Sequence, residues 1–456
     1  MKKKCRVVLF LCLFFMIGAH SVFAEEVKTD QMILSWSFNN SCSQTLSWRS
    51  FGYEAQYLKY GRYEKGRKLQ NTEKTIKALR QREAEGYWHC EAVMSGLIPE
   101  TAYYYQVGDG NQWGEIKTFT TGPKERKEDL WNRQKEIRSD AVEFLYLGDI
   151  QYQDKEKDYP EWGMMLQDIR ERNPGISFGV LGGDMVNSSK SMNDWNLFLE
   201  NASPVFSRIP MMTAIGNHET DVKADYYLKT MALPENGPEG LEEEFYSFDY
   251  GNCHIQVLNS SFFMENRKKE KDWQLQQKAV MKWMENDLAK TDAVWKIAVT
   301  HHPLYGVSSG DPICNEIRKL WEPVFQQGSI DLILCGHQHV YMRTKEIGGI
   351  TQIMGNSGKR RSGYFDGSNI PEYSQVLDAV NSNYQIIRIE EKKLSVLSYD
   401  EEGQIIDKWV KIKDGFPVLK TAAAGTAIMS AVTAGIFFAV RKQPGRRPNR
   451  QKRSFR

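Results

Sequence analysis

The chain has 456 residues, with 60 Lys and Arg against 58 Asp and Glu and a formal net charge of +2. That near-neutral total conceals a segregation: residues 1–24 hold four basic and no acidic residues, residues 441–456 hold eight and none, and the stretch between them stands at −10. The pattern argues against a basic face for nucleic acid, and the length leaves room for two or three domains with a sizeable core.

At the N-terminus, Lys2-Lys3-Lys4, the apolar run from Val7 to Ile17, and Val22-Phe23-Ala24 fit the parts of a secretory signal peptide over residues 1–24. An uncleaved anchor helix is the competing reading. Residues 25–122 then read as short strands. Met32 to Trp36, Thr45 to Trp48, Ala55 to Tyr60 and Tyr87 to Val93 come first. The clearest segment follows: the turn Gly96 to Thr101, the aromatic strand Ala102 to Val107, Gly108-Asp109-Gly110, and Ile116 to Thr121. That succession suits a seven-strand sandwich, in which the aromatic side chains are core. Residues 123–140 are charged and read as a connector.

From Ala141 onward strands alternate with helical patterns, which argues an α/β domain over 141–413. Strands are expected at 142–147, 177–181, 211–215, 253–258, 295–300, 330–334, 351–354, 384–389 and 394–399. Helices are expected at Trp162 to Arg172, Asp194 to Leu199, Asp272 to Lys290 and Asn315 to Gln326. In the long third helix Leu275, Ala279, Met281, Trp283 and Leu288 read as a core face. No Gly-rich phosphate loop precedes any helix. Finally, Thr421 to Val440 is uncharged for twenty residues and is followed at once by Arg441-Lys442. At about 1.5 Å per residue the run reaches about 30 Å, a bilayer's hydrocarbon thickness. It therefore reads as one transmembrane helix, with the basic tail 441–456 in the cytoplasm and the bulk of the chain outside. A buried helix is the alternative.

Seven cysteines include Cys5 and Cys12 in the signal, leaving Cys42, Cys90, Cys253, Cys314 and Cys335. An odd number without CxxC spacing is neither a disulfide framework nor a zinc ribbon. Cys42 and Cys90 are a candidate pair that sequence alone cannot bring to bonding distance. Cys253 and Cys335 read as small core residues.

The chemistry-bearing residues fall just beyond the expected strands, where ligands collect in α/β folds. They are Gly148-Asp149, Gly182-Gly183-Asp184 with Asn187, Gly216-Asn217-His218-Glu219, His301-His302, and Gly336-His337-Gln338-His339. Taken singly, each has an ordinary structural explanation, such as a turn Asp or a packed His. Together they form an oxygen and imidazole donor set sufficient for two metal ions. Ions about 3.5–4 Å apart need a bridging ligand, and the carboxylate of Asp184 is the candidate.

The order Gly-Asp, Gly-Asp, Gly-Asn-His-Glu, His-x-Pro-x-Tyr and Gly-His-x-His resembles the calcineurin-like metallophosphoesterases, and among them the purple acid phosphatases. The resemblance runs over roughly residues 30–400 and includes Tyr246 to Asn252 before a strand, and Arg343 after Tyr341. It implies an α/β (α+β) four-layer metallophosphoesterase sandwich behind an all-β fibronectin type III-like domain with a Leu-x-Pro-x-Thr-x-Tyr corner. Carried over by position, Asp149 and His339 would hold the first metal, with Asn187 beside them, and Asp184 would bridge. Asn217, His301 and His337 would hold the second. His218 resembles the family's general acid or phosphate-contacting histidine. His302, Tyr305 and Gln151 would surround the site, although core packing suits His302 equally well.

Two departures from the family pattern stand out. Asn187 occupies the position of an iron-binding tyrosinate, and Gln151 stands where many relatives have a small residue or His. Two divalent ions less Asp149 and Asp184 leave a formal charge of about +2, which favours a divalent pair of Fe, Mn or Zn ions. The resemblance implies a metal-dependent phosphatase acting on phosphate monoesters by direct hydrolysis, without a covalent phosphoenzyme, and the two end segments would place it at the cell surface. Alternatives are a phosphodiesterase or nucleotidase on the same fold, or a non-catalytic surface-binding protein. The expected partners are a phosphate-ester substrate and, through the C-terminal helix, a membrane.

Overall fold

In a computed structural model the described residues are 29–413, apart from 52–54, 83–85, 125–140, 221–223, 309, 366–367 and 369. The signal segment, most of the connector, the apolar run 421–440 and the basic tail lie outside them.

Short apolar-rich runs separated by turns fold the N-terminal part into two facing antiparallel sheets. One orders Thr29–Ser35, Ser43–Ser50, Trp88–Ser95 and Leu79–Arg82; the other orders Arg67–Lys68, Tyr57–Glu64, Ala102–Gly108 and Lys117–Thr120. Lys74–Lys77 also pairs with Tyr57–Glu64, so the described strands number nine rather than seven. The additional ones were not legible because Arg67–Lys68 is two residues long and Lys74–Lys77 turns only Ile76 partly inward. Leu34, Leu46, Trp48, Leu58, Tyr105 and Phe119 fill the space between the sheets. At the corner, the Ile98 amide donates to the Tyr103 hydroxyl at 3.0 Å, the bond a tyrosine corner makes.

This sandwich is packed firmly onto the domain that follows. The Trp36 ring lies 5.2–5.7 Å from the rings of Phe178, Phe248 and Tyr250. Ser35 and Ser47 donate to the carbonyls of Ala232 and Thr230 at 2.6 and 2.7 Å, and the Tyr105 hydroxyl donates to the Ser207 carbonyl at 2.6 Å. Buried aromatic contact together with satisfied polar groups gives a fixed interface rather than a hinge.

The second domain is built on two sheets. The first orders Met211–Thr213, Ile176–Leu181, Val142–Leu147, Asn383–Ile389, Lys393–Asp400 and Ile405–Ile412. Its first three strands are parallel and the rest antiparallel. The second orders Phe245–Tyr250, Cys253–Leu258, Trp295–Thr300, Leu332–Cys335, Thr351–Met354, Tyr341–Thr344 and Ser374–Asp378, with a parallel centre. Alternation along Trp295–Thr300 shows the layering. Ile297 and Val299 join the core shared with the first sheet, whereas Ala298 joins the core beneath the helices Trp273–Lys290 and Pro312–Gly328. On the far side, the helices Lys155–Arg172 and Met192–Phe206 cover the first sheet with Trp162, Leu166, Phe198 and Leu199. The result is four layers, helix, sheet, sheet, helix.

Helix Trp273–Lys290 corrects one expectation. Its buried residues are Val280, Met284 and Leu288, at a strict spacing of four, while Leu275 is 70% exposed. A stripe at i, i+4, i+8 faces one side of a helix, and Leu275 does not lie on it. Helix Lys155–Arg172 begins seven residues before the expected start, because Lys155-Glu156-Lys157-Asp158 reads as solvent-facing and Pro160 as a breaker. Asp158 stabilises that start by accepting the amides of Gln153 and Asp154 at 2.9 Å each.

Cys42, Cys90, Cys253, Cys314 and Cys335 are all free thiols, so Cys42 and Cys90 do not pair. Burial pushes the Cys90 thiol up to about 12, despite the counteracting Arg80 charge. Among the described residues no helix is long and apolar enough to cross a membrane.

Candidate metal centre

The parallel strands of both sheets end at the same edge, and their loops meet there. Asp149 follows Val142–Leu147, Asp184 follows Ile176–Leu181, and Asn217 and His218 lie in the short helix Asn217–Glu219 after Met211–Thr213. His301 follows Trp295–Thr300, and His337 and His339 follow Leu332–Cys335. Asp184, His337 and His339 all take positive φ, at 52°, 76° and 53°. Such angles cost L residues energy and concentrate at functional sites. Two glycines permit the close approach. A Cβ on Gly216 would lie 2.2 Å from Asp184 Oδ1, and one on Gly336 would lie 2.4 Å from Asp149 Oδ2.

Two clusters of donor atoms result, each spanning no more than 4.8 Å: Asp184 with His301 and His337, and Asp149 with Asp184 and His339. Asp184 belongs to both. Its Oδ2 is 3.2 Å from His301 Nε2, while His339 Nε2 is 3.6 Å from Asp149 Oδ1. Asn217 Oδ1 lies 3.0 Å from His301 Nε2 and 2.9 Å from His337 Nδ1. The opposite ring nitrogens are anchored: His301 Nδ1 donates to the Gly182 carbonyl at 2.9 Å and His339 Nδ1 to the Arg361 carbonyl at 3.4 Å. Each anchor turns the other nitrogen toward the cluster, where a bound metal would take the place of its proton. Asn187 Oδ1 is buried with no hydrogen-bond partner, a neutral oxygen donor left over beside the site. Two carboxylates, three imidazoles and amide oxygens suit first-row divalent ions.

Residues 142–341 match the family described as Calcineurin-like phosphoesterase, and residues 29–121 match Purple acid Phosphatase, N-terminal domain. The second domain is a calcineurin-like phosphoesterase domain. Purple acid phosphatase 23 of Arabidopsis thaliana is 25% identical over 286 residues, covering 56% of this chain and 57% of that protein. Probable inactive purple acid phosphatase 24 of the same plant is 26% identical over 315 residues, covering 62% and 48%. The chain thus spans about half the length of the curated relatives it matches. The structure of purple acid phosphatase PPD1 from yellow lupin (Lupinus luteus) seeds superposes with a TM-score of 0.68 at 18% identity, covering 85% of this chain and 75% of that one. That likeness is one of fold.

Buried carboxylates and imidazoles at the phosphoesterase domain's edge shift one another's protonation. Burial pushes the Asp149 carboxyl up to about 7, reinforced by Asp184 and opposed by His301. Burial works to lower His301, but Asp184 outweighs it and draws the ring up to about 9. Burial holds His339 down at about 4. Mutually shifted buried acids and imidazoles mark a functional site, and a bound cation would favour their deprotonated forms.

The remaining site residues of the phosphoesterase domain fall into three groups. His218 stands beside the ligands. Its amide donates to Asp184 Oδ1 at 2.9 Å, its Nδ1 donates to the Asn187 carbonyl at 2.5 Å, and its Nε2 lies 4.0 Å from Asp184 Oδ2. Gln151 Nε2 donates to Asp184 Oδ2 at 2.9 Å. His302 packs behind the ligands, its ring centroid 4.1 Å from that of His337 and its Nδ1 2.9 Å from Ser260 Oγ. Tyr305 is not brought to the cluster: its hydroxyl donates to Glu322 on helix Pro312–Gly328 at 2.5 Å.

Two supporting carboxylates had no assigned role in the sequence. Glu219 is fully buried and accepts amides of Asp184, Met185 and Gly216 at 2.8–2.9 Å, with Val186 at 3.4 Å. It clamps the strained Asp184 loop against the Gly216 turn. Asp311 uses Oδ1 to cap helix Pro312–Gly328 and Oδ2 to accept from His337 Nε2 at 2.9 Å. Burial opposes its ionisation, but the His337 ring and the Cys314 amide prevail and hold its carboxyl down at about 2. A carboxylate behind a ligand imidazole fixes its orientation and raises its basicity. Asp311→Asn should weaken binding of the second metal about 10- to 100-fold, read by chelator competition, with the first metal retained.

Proposed function

We propose that this protein is a metal-dependent phosphatase that hydrolyses phosphate monoesters. The observation that carries the reading is the position of Asp184, shared by two donor clusters with a histidine of Gly336-His337-Gln338-His339 in each. Asp149, Asp184, His339 and the Asn187 amide oxygen would hold one ion; Asp184, Asn217, His301 and His337 would hold the other. When bound, such a pair supplies Lewis acidity toward a phosphoryl oxygen and makes water a competent nucleophile near neutral pH.

The chain's own residues do the rest. The Asn187 carbonyl fixes the His218 ring so that Nε2 faces the cluster. From there a protonated His218 delivers its proton to the leaving oxygen as the ester bond breaks. No Ser or Cys nucleophile is called on; burial pushes the Cys335 thiol, on the adjoining strand, well up from its ordinary value. We further propose that residues 1–24 direct the chain into the secretory route and that 421–440 anchor it with the phosphoesterase domain outside the cell. The support is the charge and apolar pattern at the two ends.

The test strips the full chain of metal, reloads it with Mn, Zn or Fe, and compares p-nitrophenyl phosphate with bis(p-nitrophenyl) phosphate. Metal-dependent turnover favouring the monoester supports the reading. Preference for the diester overturns the monoester assignment, and no turnover with two bound metals overturns the hydrolase assignment. Because Asn187 cannot form a phenolate, the iron-loaded protein should lack an intense tyrosinate-to-iron visible band. Such a band at the wild-type site would contradict the divalent-pair assignment.

A further inference from the structure

Beside the metal ligands and His218, the chain also places basic side chains at this edge. Just beyond strand Thr351–Met354, Asn356 bridges Asp149 after Val142–Leu147, and the segment that follows contains Lys359, Arg360 and Arg361 in succession. The three differ in what they meet. Lys359 forms ion pairs with Glu401 and Glu161 and is neutralised there. Arg361 is exposed and contributes its carbonyl to His339 Nδ1. Arg360 is half-buried, and among the described residues its guanidinium meets no carboxylate. Its one side-chain bond runs from a terminal nitrogen to Gln151 Oε1 at 2.8 Å.

That single bond fixes its place. Gln151 donates its amide nitrogen to Asp184 Oδ2 at 2.9 Å, so one neutral amide separates the guanidinium from the shared carboxylate. The backbone is fixed as well. The Arg360 amide donates to the Gln151 carbonyl at 3.2 Å, and the Ser357 and Gly358 amides donate to the Asp149 carbonyl at 2.9 and 2.6 Å. A Cβ on Gly358 would lie 2.2 Å from the Gln151 carbonyl oxygen, so this segment runs directly against the Asp149 loop. A half-buried guanidinium with unused forked donors, held beside a dinuclear site, is arranged to receive an oxyanion.

We propose that Arg360 is a specificity-determining residue that contacts a non-bridging oxygen of the substrate's phosphoryl group, with Gln151 as its positioning residue. The inference rests on the phosphatase reading above. A monoester dianion presents one more anionic oxygen than a diester, in which that oxygen is esterified. Arg360 therefore adds affinity for monoesters and for inorganic phosphate, and little for diesters. This gives Gln151 a function that a small residue at its position could not perform: it spaces a cation from the Asp184 carboxylate without neutralising it.

The experiment compares full-chain wild type, Arg360→Gln and Arg360→Lys, each loaded with Mn and checked for equal metal content and thermal midpoint. Calorimetry titrates inorganic phosphate, and steady-state assays read both nitrophenyl esters. Arg360→Gln should weaken phosphate binding and lower monoester kcat/KM about 10- to 100-fold, while diester kcat/KM changes little. Arg360→Lys, which keeps the charge without the fork, should fall between the two. Unchanged phosphate affinity, or equal losses on both esters, overturns the assignment of Arg360. If Arg360→Gln loses metal or stability, the Arg360→Lys comparison decides by the same readouts. A wild type without monoester turnover overturns the phosphatase reading instead, and phosphate titration of the loaded protein still decides the anion contact.

Discussion

Asp184→Asn should abolish most turnover and leave the protein unable to hold two metals together. The substitution keeps shape and one oxygen but removes the charge that both donor clusters share. Lewis-acid stabilisation of a phosphoryl transition state is worth several kcal/mol, so kcat/KM should fall by at least about 10³-fold at about 1.4 kcal/mol per decade. His301 should respond in the same variant. Its ring is drawn up to about 9 against the lowering effect of burial, chiefly by the Asp184 charge. With an amide in place of that carboxylate, its titration should move to lower pH in NMR of the metal-free protein. Full activity in Asp184→Asn at two bound metals would remove the bridging role.

Glu219→Ala should produce the largest loss of fold stability among single substitutions at the site. The carboxylate accepts four backbone amides from two loops and is fully buried. Each amide left buried without an acceptor costs about 1–3 kcal/mol. Local relaxation and water recover part of this, leaving an expected loss of about 4 kcal/mol, within the range for breaking a buried charged contact. Urea denaturation of the metal-free protein measures it without the added stability that bound metal confers. Burial, reinforced by Asp184, pushes the Glu219 carboxyl up to about 7. It therefore holds its proton more tightly than an exposed glutamate does. Glu219→Gln should be only a partial rescue, since its NH2 group must face amides that need an acceptor. A loss within about 0.5 kcal/mol, typical of surface substitutions, would show that the clamp is not needed.

The ligands of this site were legible because each one follows an apolar strand directly. A strand followed at once by a polar ligand, in four of the five cases after Gly, is a pattern in which chain order and spatial position coincide, because the parallel strands of the two sheets end at one edge. The supports were not legible, because their partners are distant in the chain. Asp311 reads as an ordinary helix cap; nothing local shows that its second oxygen reaches His337, 26 residues away. Glu219 was visible within Gly216-Asn217-His218-Glu219, yet its partners are amides of residues 184–186. Arg360 lies in a basic triplet whose members become distinct only when Glu401 and Gln151 are placed beside them. Tyr305 shows the converse. Its position in His-x-Pro-x-Tyr suggested a pocket wall, and its hydroxyl instead joins helix Pro312–Gly328. At the fold level, alternation located the central strands, whereas strand Ile405–Ile412 escaped notice because its edge position leaves it largely exposed.

Electron paramagnetic resonance of the full chain during Mn(II) titration tests the central claim most directly, since it reports whether two ions share a bridge. The account predicts that the second equivalent converts isolated-ion signals into an exchange-coupled spectrum in wild type, and that Asp184→Asn prevents the conversion. Saturation at one equivalent, or two equivalents that remain magnetically isolated in wild type, would contradict it.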